Sequence, residues 1–133
     1  MSSNRFSLRS ALGRARGLGP SHSGTGHWLA QRLTALVMLP LAPWFIYSLL
    51  TALNAGSIDL IHQFFASPLN AVTLVVLLVA MIYHAMLGLQ VIVEDYVHNT
   101  GFQLAGIYII KFFCIILTVI SILSVIKLHL GTA

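Results

Sequence analysis

The residues of this chain whose types and spacing suit chemistry lie at two places in otherwise apolar sequence. His84 stands inside a long apolar run, and the pair Asp95 and Tyr96 closes that run. An unpaired imidazole is costly to place in a bilayer, so His84 needs a hydrogen-bond partner, a metal ion or a haem iron. Haem ligation is the leading functional hypothesis, because histidine is a usual axial ligand. A hydrogen bond to a neighbouring helix is the structural alternative.

Helical spacing places these residues on one stripe. Asp95 follows His84 by eleven residues, which at about 100° per residue brings the two positions within about 20° of alignment. Gly88 lies one turn beyond His84 on the same side, where it leaves room for a flat macrocycle or for close packing of another helix. Val91 or Ile92 continues the stripe, which is about 16 Å long.

Asp95 and Tyr96 suit the recognition of a lipid-soluble carbonyl compound at a membrane interface. The tyrosine hydroxyl is placed to donate a hydrogen bond to a carbonyl, and the carboxylate is placed to orient it or relay protons. A quinone fits this pair, since it is apolar, has two carbonyls and takes up two protons on reduction. The alternative for Tyr96 is a simple aromatic anchor at the interface.

His27 and Arg32 lie five residues apart at the start of the first apolar segment. An arginine fork suits the carboxylates of haem propionates, and His27 would share that role. The alternative is that both residues only anchor the chain at the membrane surface.

The composition places the chain in a membrane. It has 133 residues, of which 58% are hydrophobic and 8% charged, and its mean hydropathy is +0.92; a soluble domain carries roughly 25% charged residues. The net charge of +4 comes mostly from arginines in the first quarter of the chain, which is typical of a topology signal and gives no basic face for nucleic acid. The single cysteine, Cys114, excludes an internal disulfide and is expected to be inert packing.

Hydropathy predicts an all-α integral membrane protein with three transmembrane helices. A polar, basic N-terminal tail covers 1–26, and a three-helix membrane-anchor domain covers 27–130, with helices at about 27–53, 69–93 and 104–126. We expect a helical turn at about 60–65 in the first loop and a polar connection over 94–103. Pro40 and Pro43 are expected to kink the first helix.

The basic tail predicts the orientation of the chain. Its arginines put the N-terminus on the cytoplasmic or matrix side and, after three spans, the C-terminus on the opposite side. The tail is also rich in Arg and Ser and free of acids, like a mitochondrial presequence, although a cytoplasmic tail is favoured. This orientation puts Arg32, Asp95 and Tyr96 at the same membrane face. Three helices are too few to enclose a pathway, so partner subunits are expected.

Two segments carry a resemblance to a known family. They read HWLAQRLTALVMLPL at 27–41 and HAMLGLQVIVEDYVH at 84–98. In order and separation, they resemble the small hydrophobic membrane-anchor subunits of succinate dehydrogenase, respiratory complex II. The similarity covers roughly residues 20–130, including the three apolar segments.

The resemblance implies roles for five residues. His84 would be an axial ligand of the iron of haem b, with the other ligand from the partner cytochrome b subunit. Tyr96 would hydrogen-bond the substrate ubiquinone with support from Asp95. Arg32 would lie near both the haem propionates and the quinone, and His27 near the propionates.

The resemblance also implies the partners. Besides the cytochrome b subunit, these are the iron–sulfur subunit and the flavoprotein subunit, which would dock on the cytoplasmic or matrix face. This chain would anchor them without binding succinate and would not be catalytic alone. The expected location is a bacterial inner membrane, with the mitochondrial inner membrane as the alternative. Two other functions stay open: a quinol-oxidising anchor of a fumarate reductase, and a structural or assembly membrane protein without a redox role.

Overall fold

The computed structural model describes residues 21–56 and 58–131, with side chains from residue 24 onward. Most of the predicted basic tail therefore lies outside the described residues. Most of the described chain is helical, and the described residues contain no strand. The four helices are α1, Ser21–Asn54; α2, Ile58–Ala66; α3, Pro68–Tyr96; and α4, Thr100–His129.

Three of these helices are long and apolar enough to cross a membrane, which confirms the predicted fold class. The candidate spans are Gly24–Asn54, Pro68–Tyr96 and Thr100–His129. The first helix begins at Ser21, earlier than the predicted start at 27, and it runs as one assigned helix through Pro40 and Pro43. Membrane helices accommodate such prolines because neighbouring groups satisfy the backbone atoms that proline frees.

The connection between α3 and α4 is shorter than the sequence suggests. Helix α3 continues through 94–96, and α4 begins at Thr100 because Asn99 caps it. The Asn99 side-chain oxygen accepts hydrogen bonds from the backbone nitrogens of Gly101 (3.0 Å) and Phe102 (3.3 Å), as N-cap residues do. The polar connection predicted over 94–103 is thus only 97–99, and Asp95 and Tyr96 lie on the last turn of α3.

Helix α3 is the centre of the fold. It packs against α1, α2 and α4, whereas α1 and α4 do not contact each other within the described residues. The buried side chains accordingly lie mostly on α3 (Ala71, Leu74, Leu77, Ala80 and Leu87). Cys114 of α4 is 7% exposed, which agrees with its predicted packing role. The other large apolar side chains are mostly exposed, as expected of helices that meet lipid or partner subunits.

The short helix α2 closes one end of the bundle. It contains the helical turn predicted at about 60–65 and extends it on both sides. The Nδ1 of His129 lies 3.0 Å from the Phe65 carbonyl oxygen, and the Asn70 amide donates to the Phe64 carbonyl at 3.0 Å. The Phe64 ring also packs 5.9 Å from that of Trp44. These contacts join the end of α1 to the start of α3 and the end of α4.

Candidate functional site

The polar residues singled out by the sequence gather at the interface of α1 and α3. Halfway along α3, His84 is partly buried and faces Thr34 of α1. Its Nδ1 lies 2.9 Å from the Thr34 hydroxyl oxygen. One of the two ring nitrogens of His84 therefore makes a hydrogen bond to a neighbouring helix, which was the structural alternative to haem ligation.

The Thr34 hydroxyl has one proton and several neighbours. Its oxygen also lies 2.9 Å from the Ala30 carbonyl oxygen and 3.0 Å from that of Gln31. The direction of the contact with His84 depends on the imidazole tautomer. If the hydroxyl proton goes to one of the carbonyl oxygens, the Thr34 oxygen accepts from the imidazole, which then has its proton on Nδ1 and its lone pair on Nε2.

One turn further along α3, Gly88 faces Gln31. A Cβ built on Gly88 would stand 3.7 Å from the Gln31 amide nitrogen, which is an ordinary van der Waals separation. The close packing of α1 against α3 therefore does not require glycine at this position. Both interpretations of Gly88, room for a flat ligand and packing of another helix, stay predictions.

An open cavity of about 510 Å³ lies between the two helices, and Gly88 is part of its lining. Its polar lining includes His27 and Gln31 from α1 and Gln90 and Glu94 from α3, with the Gln90 amide 2.9 Å from a Glu94 carboxylate oxygen. The Nε2 of His27 is buried and has no hydrogen-bond partner within the described chain. Because residues from the start of α1 and the end of α3 line it, these two helix ends lie at the same end of the bundle.

Arg32, Asp95 and Tyr96 are all exposed. Asp95 and Tyr96 lie on the last turn of α3 at that end of the bundle, whereas Arg32 lies deeper, between Gln31, which faces Gly88, and Thr34, which faces His84. The Arg32 guanidinium carbon lies 5.4 Å from the centre of the Trp28 ring, a cation–π separation. Tyr96 is 78% exposed. Within the part of the chain that the structure describes, no hydrogen bond or ion pair joins Arg32 to Asp95 or Tyr96, so this chain alone does not assemble them into one site.

The two ends of the predicted stripe on α3 thus lie in different environments. His84 and Gly88 face α1, whereas Asp95 is exposed at the helix end. No group of three or more His, Cys, Asp or Glu side chains placed to hold a metal ion occurs in the described residues. A metal at His84 would therefore need its other ligands from outside the described residues.

Sequence reasoning did not find Thr34 or Gln31, which contact the stripe. No spacing rule links residue 34 to residue 84, because the contact joins two different helices. A weaker signal was present: Gln31 and Thr34 follow His27 by four and seven residues, so the three polar side chains share one face of α1.

Comparison with known proteins gives one matching family and relatives of a single kind. Residues 7–125 match the family described as "Succinate dehydrogenase/Fumarate reductase transmembrane subunit". The chain is 32% identical over 120 residues to the succinate dehydrogenase hydrophobic membrane anchor subunit of Rickettsia bellii, covering 90% of this chain and 95% of the relative. It is 34% identical over 116 residues to the protein of the same name from Rickettsia prowazekii, covering 87% and 91%. No solved structure matches the chain.

Proposed function

The chain belongs to the succinate dehydrogenase/fumarate reductase transmembrane subunit family, and from this membership we propose that it anchors the flavoprotein and iron–sulfur subunits of a succinate:ubiquinone oxidoreductase. In this proposal it supplies one ligand to haem b and part of the ubiquinone-reduction site. The observation that carries the redox role is the hydrogen bond between His84 Nδ1 and Thr34 in the middle of the membrane domain.

This hydrogen bond fits His84 to an axial ligand. With its proton on Nδ1, the imidazole presents the Nε2 lone pair, which is the form that binds a metal. Gly88 lies one turn away and adds no side chain of its own on the surface that faces the Gln31 side chain. The partner cytochrome b subunit would supply the other ligand to the haem iron. Bound there, haem b would supply a one-electron carrier.

His27 and Arg32 are the candidates for the haem propionates. The buried Nε2 of His27 has no partner within the described chain, and a propionate oxygen would provide one. Arg32 is exposed beside Trp28 and retains guanidinium donors for a carboxylate.

Tyr96, Asp95 and Arg32 are the proposed contribution to the quinone site. All three are exposed, with Asp95 and Tyr96 on the last turn of α3 and Arg32 deeper on α1, so a partner subunit would complete the pocket around them. The Tyr96 hydroxyl would donate to a quinone carbonyl, and Asp95, close to water, would assist delivery of the two protons that reduction consumes.

We place the chain in a bacterial inner membrane, with its N-terminus and the proposed quinone site on the cytoplasmic side. The basic N-terminal sequence supports this orientation, and the named relatives come from Rickettsia, which are bacteria. The flavoprotein and iron–sulfur subunits would dock at this face. In a mitochondrion the equivalent face would be the matrix side of the inner membrane.

A second candidate is a fumarate reductase anchor that oxidises quinol, since the description of the matching family covers both enzymes. The named relatives favour succinate dehydrogenase. Comparing succinate-driven quinone reduction with quinol-driven fumarate reduction in the purified complex separates the two. A complex with no quinone-linked activity in either direction would instead support a purely structural role.

The haem proposal is tested by His84→Ala in the complete complex. We expect the Soret band of the purified complex to be lost or strongly reduced, because one axial ligand is removed. His62→Ala is the matched control, since His62 is an exposed histidine on α2 at the other end of the bundle. An unchanged Soret band in assembled His84→Ala complex would remove His84 from this role.

A further inference from the structure

We infer that Thr34 is a positioning residue for the His84 imidazole, fixing both its tautomer and its ring orientation so that Nε2 binds iron. This inference rests on the proposed role of His84 as a haem ligand. It adds a residue from a different helix, separated from His84 by 50 positions in the sequence.

In this inference the Thr34 oxygen is the acceptor of the contact and His84 Nδ1 is the donor. Its hydroxyl proton is shared between the Ala30 and Gln31 carbonyl oxygens, at 2.9 and 3.0 Å. Both acceptors belong to the backbone of α1, so the hydroxyl rotor is held by a regular helix. The Thr34 oxygen therefore presents a lone pair toward α3, where His84 Nδ1 lies at 2.9 Å.

This acceptor would act on the imidazole in two ways. It favours the tautomer with the proton on Nδ1, because the other tautomer would place a ring lone pair against the hydroxyl lone pair. It also draws the Nδ1 proton and so makes Nε2 a stronger electron donor. A stronger donor stabilises ferric more than ferrous iron, which lowers the midpoint potential of the haem.

The test compares Thr34→Val with Thr34→Ser in the assembled complex. Valine keeps the shape of threonine but has no acceptor, whereas serine keeps the hydroxyl. We expect Thr34→Val to weaken haem binding about 10- to 100-fold and to raise the midpoint potential. A tenfold loss confined to the ferric form corresponds to about 59 mV. Thr34→Ser should restore both values toward those of the native complex.

Thr118→Val is the matched control for a lost intrahelical hydrogen bond. The Thr118 hydroxyl donates to the carbonyl of Cys114, four residues earlier, at 2.8 Å, and the Thr34 hydroxyl has the same relation to the Ala30 carbonyl on α1. Both threonines are partly buried. We expect the Thr118→Val complex to keep the native haem content and midpoint potential. Equal shifts in the Thr118 and Thr34 variants would overturn the inference, because they would reflect helix perturbation alone.

Other outcomes also decide the question. Native haem content and potential in Thr34→Val would overturn the inference, as would loss of haem in both the valine and serine variants. If Thr34→Val does not assemble, Thr34→Ala replaces it, and failure of both would show a structural role instead. The proposed function is tested separately by His84→Ala. If His84→Ala loses haem while the Thr34→Val complex stays native-like, only the role of Thr34 is rejected.

Discussion

Replacing Tyr96 with phenylalanine isolates the proposed quinone contact. Tyr96 is 78% exposed, so removal of its hydroxyl leaves the packing of the described chain intact. The expected loss is one hydrogen bond to a quinone carbonyl, about 0.5–1.5 kcal/mol. At about 1.4 kcal/mol per factor of ten, quinone reduction should fall roughly 2- to 12-fold.

Two activities of the same purified complex measure the effect. Succinate-driven reduction of a ubiquinone analogue should fall in Tyr96→Phe, while succinate oxidation with an artificial electron acceptor should stay at its native rate. Tyr47→Phe is the control, because Tyr47 is 71% exposed and lies toward the other end of α1. Equal loss of both activities would indicate failed assembly, and native quinone reduction in Tyr96→Phe would refute the proposed contact.

Substitutions at two further positions test the helix boundary and the proposed haem surface. Asn99→Ala removes the cap of α4 and should destabilise the complex by about 1 kcal/mol, measured as a lower thermal denaturation midpoint. Asn99→Asp keeps a capping oxygen and should stay close to native. Equal midpoints for the two variants would contradict the capping role. Gly88→Ala should assemble normally, because its Cβ would stand 3.7 Å from the Gln31 amide, whereas Gly88→Leu should lower the haem content per flavin. A full haem content in Gly88→Leu would place the haem away from Gly88.

The number and type of the helices follow from the sequence, but their ends do not follow from hydropathy. An apolar run reports where a chain meets hydrocarbon, and a helix continues past that boundary until a capping residue ends it. The acidic residue at position 94 therefore suggested a loop, although α3 continues to Tyr96. The side chain of Asn99 contained the better signal, since asparagine is a favoured N-cap.

The candidate site was predictable along each helix and not between helices. Periodicity aligned His84 with Gly88, and both face α1 in the structure. The partner of His84 was not predictable, because the rotation of α1 relative to α3 decides which residue of α1 meets the imidazole. The roles of Arg32 and Tyr96 stay predictions, since both side chains are exposed in this chain.

The central position of α3 has a consequence for how the subunit responds to mutation. Helices α1 and α4 share no contact within the described residues, and each packs against α3 and against the short helix α2. The long helices thus form two pairs with α3 in common, and energetic coupling between α1 and α4 has to pass through α3 or through α2. Substitutions at Thr34 and Cys114 belong to different pairs, so their effects on stability should be close to additive.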